Sequence, residues 1–337
     1  MTTPSHRPIF VVGCPRSGTT LLQQMLHCHP RIALPSETRF VHTAYDARHD
    51  FGDLDRAENR RALGEWIAKG KTTKFKALKL DPDATIEEIA AAPPTLGSAI
   101  ATVFRAYARE NGKPRWGDKR PSYIRRIGAL RRMFPDAQFV HLIRDGRDAV
   151  SSLNRMPWYD GDLFSATLTW RDAVDIGRRL STRLGPETFY EFRYEDLVED
   201  PERELERLCA FLGEDYDPAM AEPQHHARAT VPQERRWHLG THEAPNAGVV
   251  GAWAKRLEDW EADLVEHVLA SRLQRHGYGL SGRSRPAPAH VTRFHRQAAH
   301  RWRSRRTTAA REAVLRAREP NPVVSKLSGP ALESVQS

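Results

Sequence analysis

The sequence predicts an α/β fold, an open parallel sheet flanked by helices, and three observations carry that expectation. "PIFVVG", residues 8–13, is a short and nearly continuous apolar run, the composition of a strand buried on both faces. It passes through a loop with a Gly at each end, Gly13 and Gly18, into "SGTTLLQQMLHCH", where Leu21, Leu22, Met25 and Leu26 keep helical spacing. The same grammar recurs in "PDAQFVHLIRDGRDAVSSL" and in "TFYEFRYEDLV" followed by "DPERELERLCAFLG". Alternation of strand and helix implies parallel strands joined by right-handed crossovers.

Each element has its own justification. A strand, a tight glycine loop and a helix N-terminus form an anion-binding unit, because free backbone N–H groups and the helix dipole converge on one point. The unit is P-loop-like, but the nucleotide-triphosphatase loop continues with Lys and then Ser or Thr. Here Gly18 is followed by Thr19 and Thr20, and the cation inside the loop is Arg16. Residues about 40 to 115 are polar and helical in character, broken by "AAAPPTLG", and read as an inserted helical region. "RWGDKRP" leads into "SYIRRIGALRRMF", an amphipathic helix with Ile124, Ile127, Leu130 and Phe134 on one side. "AQFVHLI" is a second buried strand, and Arg144 stands where it ends. Ligands of open α/β sheets bind at the carboxyl ends of strands, so Arg16 and Arg144 are expected to face one crevice.

"LFSATLTWRDAVDIGRRLSTRL" is a further helix, and Asp200 with Pro201 opens the next one. A loop-rich stretch around Pro223 to Pro245 precedes "GVVGAWAKRLEDWEADLVEHVLASRL", in part a last body helix ending near Gly277. This divides the chain into a body, 1–282, and a basic C-terminal tail, 283–337, helical or flexible.

Composition bounds the function classes. Charged residues are 28% and hydrophobic residues 39% of 337, as in a globular protein. No run approaches the ~18 apolar residues of a membrane helix, and the first residues lack a signal peptide's apolar stretch. The three cysteines show no metal-ligand spacing. The expectation is a cytoplasmic protein with no metal. The net charge of +9 lies wholly beyond residue 282, where 12 Lys and Arg face 3 Asp and Glu, while the body balances at 40 of each. The pI therefore says nothing about the body. In the tail, Val291, Phe294, Ala298 and Trp302 recur at helical steps among arginines. A helix docked on its own body, or a solvated tail, is the preferred reading. Contact with an anionic membrane surface or nucleic acid is the alternative, and no recognisable nucleic-acid module accompanies it. Oligomeric state is not legible.

Two anion subsites at adjacent strand ends suit a nucleoside carrying phosphate groups at both ends. "PRSGTTLL" resembles the 5'-phosphosulfate loop of the sulfotransferases that use PAPS (3'-phosphoadenosine 5'-phosphosulfate). "IRDGRDAVSS" resembles their 3'-phosphate segment, with Ser152 eight residues after Arg144. The resemblance covers about Pro8 to Leu280 and includes "RYEDL". It implies that Arg16, Ser17, Gly18, Thr19 and Thr20 cradle the 5'-phosphosulfate, that Arg144 and Ser152 hold the 3'-phosphate, and that Tyr194 helps hold adenine. "GVVGAW" resembles the family's late Gly-x-x-Gly-x-Trp loop and implies a role for Gly248. The Lys that usually follows Trp directly is displaced here to Lys255. "PSETR" resembles the segment of tyrosylprotein and related bacterial members whose Glu is the general base, implying Glu37, with His42 as fallback. "GDKRP" resembles the segment of a Lys that bridges toward the transferring group, implying Lys119, with Asp118 beside it to orient it.

The implied reaction passes the sulfuryl group of PAPS to an acceptor hydroxyl and leaves 3',5'-phosphoadenosine, without metal. Such a ligand has no triphosphate to neutralise, which accounts for a cradle without the P-loop lysine. The acceptor stays open among peptide tyrosine, sugar, lipid and small metabolite. An aberrant P-loop kinase, or a nucleotide- or nucleic-acid-binding protein acting through the tail, are the rival readings. Structural readings also stand beside each residue: an Arg144 ion pair with Asp145 or Asp148, a Ser152 bonded to its own helix, a core Tyr194, a Glu37 paired with Arg39, a solvated Lys119. His27, His29 and His141 are read as structural.

Overall fold

The structure, a computed structural model, describes residues 5–223, 247–282 and 284–327. The loop-rich stretch anticipated around Pro223 to Pro245 lies, from residue 224 on, outside the described residues. β1 (Ile9–Gly13) is buried along its whole length, as an unbroken apolar run requires. Phe10 and Val12 enter one core while Ile9 and Val11 enter the other, the period-two alternation of a central strand. After the glycine loop come α1 (Thr19–Cys28) and a two-residue β2 (Ile32–Ala33). Four helices follow: α2 (Phe40–Asp46), α3 (Ala57–Lys69), α4 (Pro82–Ala91) and α5 (Leu96–Glu110). Asp81 and Thr95 cap the last two, accepting from the N–H groups of Ala84 and Ser98. The Thr95 cap is what ends the proline break and starts α5.

β3 (Arg115–Lys119) departs from the sequence expectation, which carried "RWGDKRP" only as a lead-in to a helix. It is a strand buried at all five positions, between β1 and β2. Charged residues can occupy it because each finds partners. The fully buried Arg115 guanidinium donates to Glu214, to the Gln138 side chain and to the carbonyls of Arg7 and Leu212. The helix expected over residues 122–134 is divided. A 3-10 turn spans Pro121–Arg125 and α6 spans Ile127–Met133, and all four of its apolar markers are buried.

β4 (Gln138–Ile143), α7 (Gly146–Asn154), α8 (Leu163–Leu184), β5 (Phe189–Arg193), α9 (Tyr194–Glu199) and α10 (Pro201–Leu212) continue the alternation. α11 (Trp253–Arg256), α12 (Asp259–Arg275) and α13 (Pro288–Ala317) complete it. The sheet is parallel throughout, in the order β2-β3-β1-β4-β5. The chain leaves β1 toward β3 on one side and returns to β4 on the other, so a crevice opens at the carboxyl end of β1. Helices α1, α9 and α10 cover one face, while α2–α8, α12 and α13 cover the other. No helix among the described residues is long and apolar enough to cross a membrane.

The basic C-terminal segment lies on the body. α13 packs on α8, burying Phe294 in the larger core. Arg301 and Arg305 pair with Asp172 at 3.2 and 2.7 Å, and Arg293 pairs with Asp162 at 2.8 Å. Beyond the helix, Glu319 pairs with Arg48 and Arg132. The carbonyls of Pro322 and Val323 accept from Leu96 and Gly97, at 3.3 and 3.0 Å, filling the first turn of α5. Gly97 permits this approach, since a Cβ there would lie 2.6 Å from the Val323 oxygen.

If α13 is part of the core, Phe294→Ala should cost about 3–5 kcal/mol. The expected result is a clearly lower urea midpoint with an unchanged slope; an unchanged midpoint would show that α13 stabilises nothing.

Candidate functional site

Four chain segments meet at the carboxyl edge of the sheet. The β1–α1 loop contributes the glycine cradle. Gly18 adopts a left-handed φ of 88°, and a Cβ there would fall 2.2 Å from the Tyr194 ring, so only Gly lets that ring pack beneath the loop. Arg16 itself sits at φ 73°, a conformation uncommon for a residue with a side chain. Ser17 is fully buried, and its hydroxyl has no hydrogen-bond partner among the described residues.

The guanidinium of Arg144 follows β4 and reaches the same loop. It donates to the Arg16 carbonyl at 3.3 Å and to the Val249 carbonyl at 2.7 Å, lies 3.7 Å from Asp148, and covers the Tyr194 ring at 4.9 Å. Its Nε is buried with no partner among the described residues. Arg16 Nε donates to the Ser152 hydroxyl at 3.0 Å. Arg16, Arg144 and Ser152 therefore share one crevice. Ser152 bonds Arg16 rather than its own helix, and Tyr194, 6% exposed, both packs in the core and borders the cleft. Burial first, and then the charges of Arg144 and Arg256, pull the Arg16 guanidinium below its usual pKa. An arginine stays charged under such pressure.

At the other end of the crevice, Lys119 closes β3. Only 4% of its side chain is exposed, and its Nζ lies 3.3 Å from the Thr20 hydroxyl and 3.6 Å from Glu37. A lysine from a neighbouring strand thus reaches the start of α1, where a nucleotide-triphosphatase would use one from the loop itself. Glu37 also lies 3.9 Å from Arg120. Burial pushes the Glu37 carboxyl up, but Lys119, Lys74, Arg120 and Arg39 outweigh it and hold the group below the usual carboxylate range. It is therefore ionised at neutral pH. His42 accepts from Arg120, at 2.9 Å on Nδ1. Burial and the cations Arg120 and Arg126 press its pKa down to about 4, and Arg120 lies against its ring nitrogens.

Asp118 does not turn toward Lys119, because adjacent strand residues face opposite sides. Its Oδ2 accepts from the hydroxyls of Thr38 at 2.9 Å and Tyr123 at 2.6 Å, so it anchors the loop that carries Glu37.

Gly248 lies in a 3-10 turn over Ala247–Val249, beside the Val249 carbonyl that Arg144 grips. Lys255 is exposed. Its neighbour Arg256 is the residue of this segment whose charge acts on Arg16. Three other groups make contacts that the sequence reading did not assign. Asp148 accepts from the N–H groups of Gly251 and Trp253, both at 2.8 Å, and so ties the late glycine loop to the Arg144 helix. Glu195 accepts from the Asp145 N–H at 2.9 Å. Trp170 Nε1 donates to the Arg144 carbonyl at 2.9 Å. The i, i+4 spacing of Arg144 and Asp148 was the one visible signal. Among the described residues, no group of three His, Cys, Asp or Glu side chains is placed to hold a metal ion.

A model described as "Sulfotransferase family" matches residues 8–218. Similar curated proteins include protein-tyrosine sulfotransferase 2 of Gallus gallus, 26% identical over 212 residues, covering 61% of this chain and 50% of that one. Another is the omega-hydroxy-beta-dihydromenaquinone-9 sulfotransferase of Mycobacterium bovis, 28% identical over 247 residues, covering 61% and 62%. The chain thus spans about half the length of the tyrosine-directed relatives it matches. Among solved structures, the sulfotransferase domain of the Synechococcus PCC 7002 olefin synthase matches with a TM-score of 0.56 at 23% identity, covering 82% of this chain and 97% of that one. It shares the fold.

Burial drives the Asp118 carboxyl up to about 6, against the hydroxyl bonds that lower it. The folded protein then holds this proton more tightly than the unfolded chain does. The group costs increasing stability as pH rises from ~4 to ~6, and the full amount above that. Asp118→Asn keeps an acceptor for Thr38 and Tyr123 and should flatten that decline in a series of urea titrations; an unaltered pH profile would mean that Asp118 ionises normally.

Proposed function

This chain belongs to the sulfotransferase family, and we propose that it moves the sulfuryl group of PAPS in line onto an acceptor hydroxyl, releasing 3',5'-phosphoadenosine. The observation that carries the reading is the single crevice shared by the Arg16 loop and by Arg144 with Ser152. Its residues fit a ligand with anionic groups at two ends. The buried Ser17 hydroxyl and Arg144 Nε lack partners among the described residues, and the charges of Arg144 and Arg256 act on Arg16.

When bound, PAPS supplies the activated sulfuryl group and a phosphate leaving group. Arg16, Ser17, Gly18, Thr19 and Thr20 hold its 5' end through loop N–H groups, hydroxyls and one guanidinium. Arg144 and Ser152 select the 3'-phosphate, Tyr194 packs beside adenine, and the Gly248 turn borders the 3'-phosphate end. Glu37 accepts the proton of the attacking hydroxyl. Lys119 and Arg16 offset the negative charge that grows on the transferring end, at fixed positions in a partly dry cleft. The acceptor pocket is built from residues about 40 to 115 and the loop Pro157 to Asp162. The relatives named above act, by their names, on protein tyrosine and on a hydroxylated menaquinone, which supports a hydroxyl acceptor here without choosing among them.

Calorimetry with 3',5'-phosphoadenosine against AMP tests the anion subsites. A charged pair with the 3'-phosphate should favour the bisphosphate by roughly 10- to 100-fold, and Arg144→Ala should remove most of that preference. Equal affinity for both nucleotides would overturn the assignment. Glu37→Gln should leave nucleotide affinity nearly intact while lowering turnover by on the order of 10²-fold or more. Its pKa is below the usual range, so the wild-type rate should hold on acidification and fall only in the acid region below it. Wild-type turnover in the variant would place the base elsewhere.

A further inference from the structure

Helix α13 meets the body along one stripe and leaves the rest of its circumference bare. Phe294 is buried, and Arg293, Arg301 and Arg305 are spent on Asp162 and Asp172. Other arginines, Arg296, Arg303, Arg306 and Arg311, are exposed and form no ion pair with a described carboxylate. The helix's single acid, Glu312, is turned to Arg48, Tyr45 and Arg316. The outer side therefore carries cations with no opposing charge of its own.

Two further features say what would cover it. Between α8 and α13 the surface sinks into a groove of about 380 Å³ lined by Ser165, Leu168, Arg296, Gln297, His300 and Arg301. It offers the Arg296 guanidinium, an imidazole and two neutral polar groups around one leucine, with Arg301 already paired to Asp172 at its wall, a setting that can receive a phosphate ester. Exposed apolar groups stand elsewhere along α13 and near its start. Trp302 is 57% exposed with the Arg306 guanidinium over its ring at 4.7 Å, and Val314 is 55% exposed. Near the start of the helix, Trp260 packs on His290 at 4.5 Å and is 37% exposed. Indole rings among arginines on a convex helix match the headgroup layer of a bilayer, where one edge is wet and the other apolar.

We propose that this face of α13 docks the protein on an anionic lipid surface, with a headgroup phosphate in the α8–α13 groove and Trp302 at headgroup depth. Charge complementarity supplies the attraction, and the +9 excess confined to residues 283–337 is its source. This inference stands apart from the transferase reading, since none of these residues belongs to the proposed active site.

Co-sedimentation of the full chain with phosphatidylcholine vesicles, alone and with about a third phosphatidylglycerol, tests it at low and raised salt. Binding is expected to the anionic vesicles and to weaken as salt rises. Each arginine near such a surface contributes roughly a fivefold factor to partitioning, so Arg296→Gln, Arg303→Gln and Arg306→Gln together should weaken it by on the order of 100-fold. Circular dichroism should be unchanged, because all three side chains are exposed. Trp302→Ala should weaken binding by a factor that salt does not alter. No binding to anionic vesicles, equal binding to both compositions, or full binding by the triple variant would each overturn the proposal. Tighter binding to a DNA duplex than to anionic vesicles at the same salt would assign the face to nucleic acid instead and would also overturn it.

Discussion

Because all five strands run in one direction, the ends of β1, β3, β4 and β5 share an edge, and with them Gly13, Lys119, Arg144 and Tyr194. No other constraint does as much for this molecule. It brings positive side chains from distant parts of the sequence to within a few ångströms of one loop, a repulsive arrangement that burial makes worse. Asp148 and Glu37 relieve the repulsion only in part. Among the described residues the crevice is lined by more cations than carboxylates before any ligand arrives. This is preorganisation in the electrostatic sense, with the cost met during folding rather than during binding.

A second lattice holds the Glu37 end. Asp118 lies on the opposite side of β3 from Lys119, yet both serve the same carboxylate. Lys119 faces Glu37 directly, while Asp118 holds Thr38 and Tyr123 and so fixes the turn from behind. The Arg39 N–H donates to the Thr73 carbonyl at 3.0 Å, tying that turn to the segment bearing Lys74. The helices from α2 to α5 are in turn joined to the chain's last described residues through Arg48, Leu96 and Gly97. Residues beyond 283 therefore support the region from which the acceptor pocket is proposed to be built.

Legibility in the sequence followed from locality. β1, β4 and β5 declared themselves because apolar runs and glycine punctuation are local signals, and the candidate residues at their ends came with them. β3 was hidden because "RWGDK" reads as polar. Arg115 is buried only because Glu214 and Gln138, separated from it by 99 and 23 residues, complete its bonds, and no window of sequence shows that. β2, two residues long, gives almost no signal. Asp148 was visible as a partner for Arg144, but its grip on Gly251 and Trp253 depends on a loop about 100 residues away. In the late glycine segment it is Arg256, beside Lys255, whose charge acts on Arg16, and spacing in a sequence does not fix the direction of a side chain.

The position of β1 in the sheet has a consequence for synthesis. Both of its neighbours, β3 and β4, begin more than 100 residues after it ends. Until then, "IFVVG" has no ladder to join, and its apolar side chains have only nearby helices to cover them. A nascent chain of this topology carries an unpaired hydrophobic strand until about 100 further residues have been made, a template for intermolecular pairing.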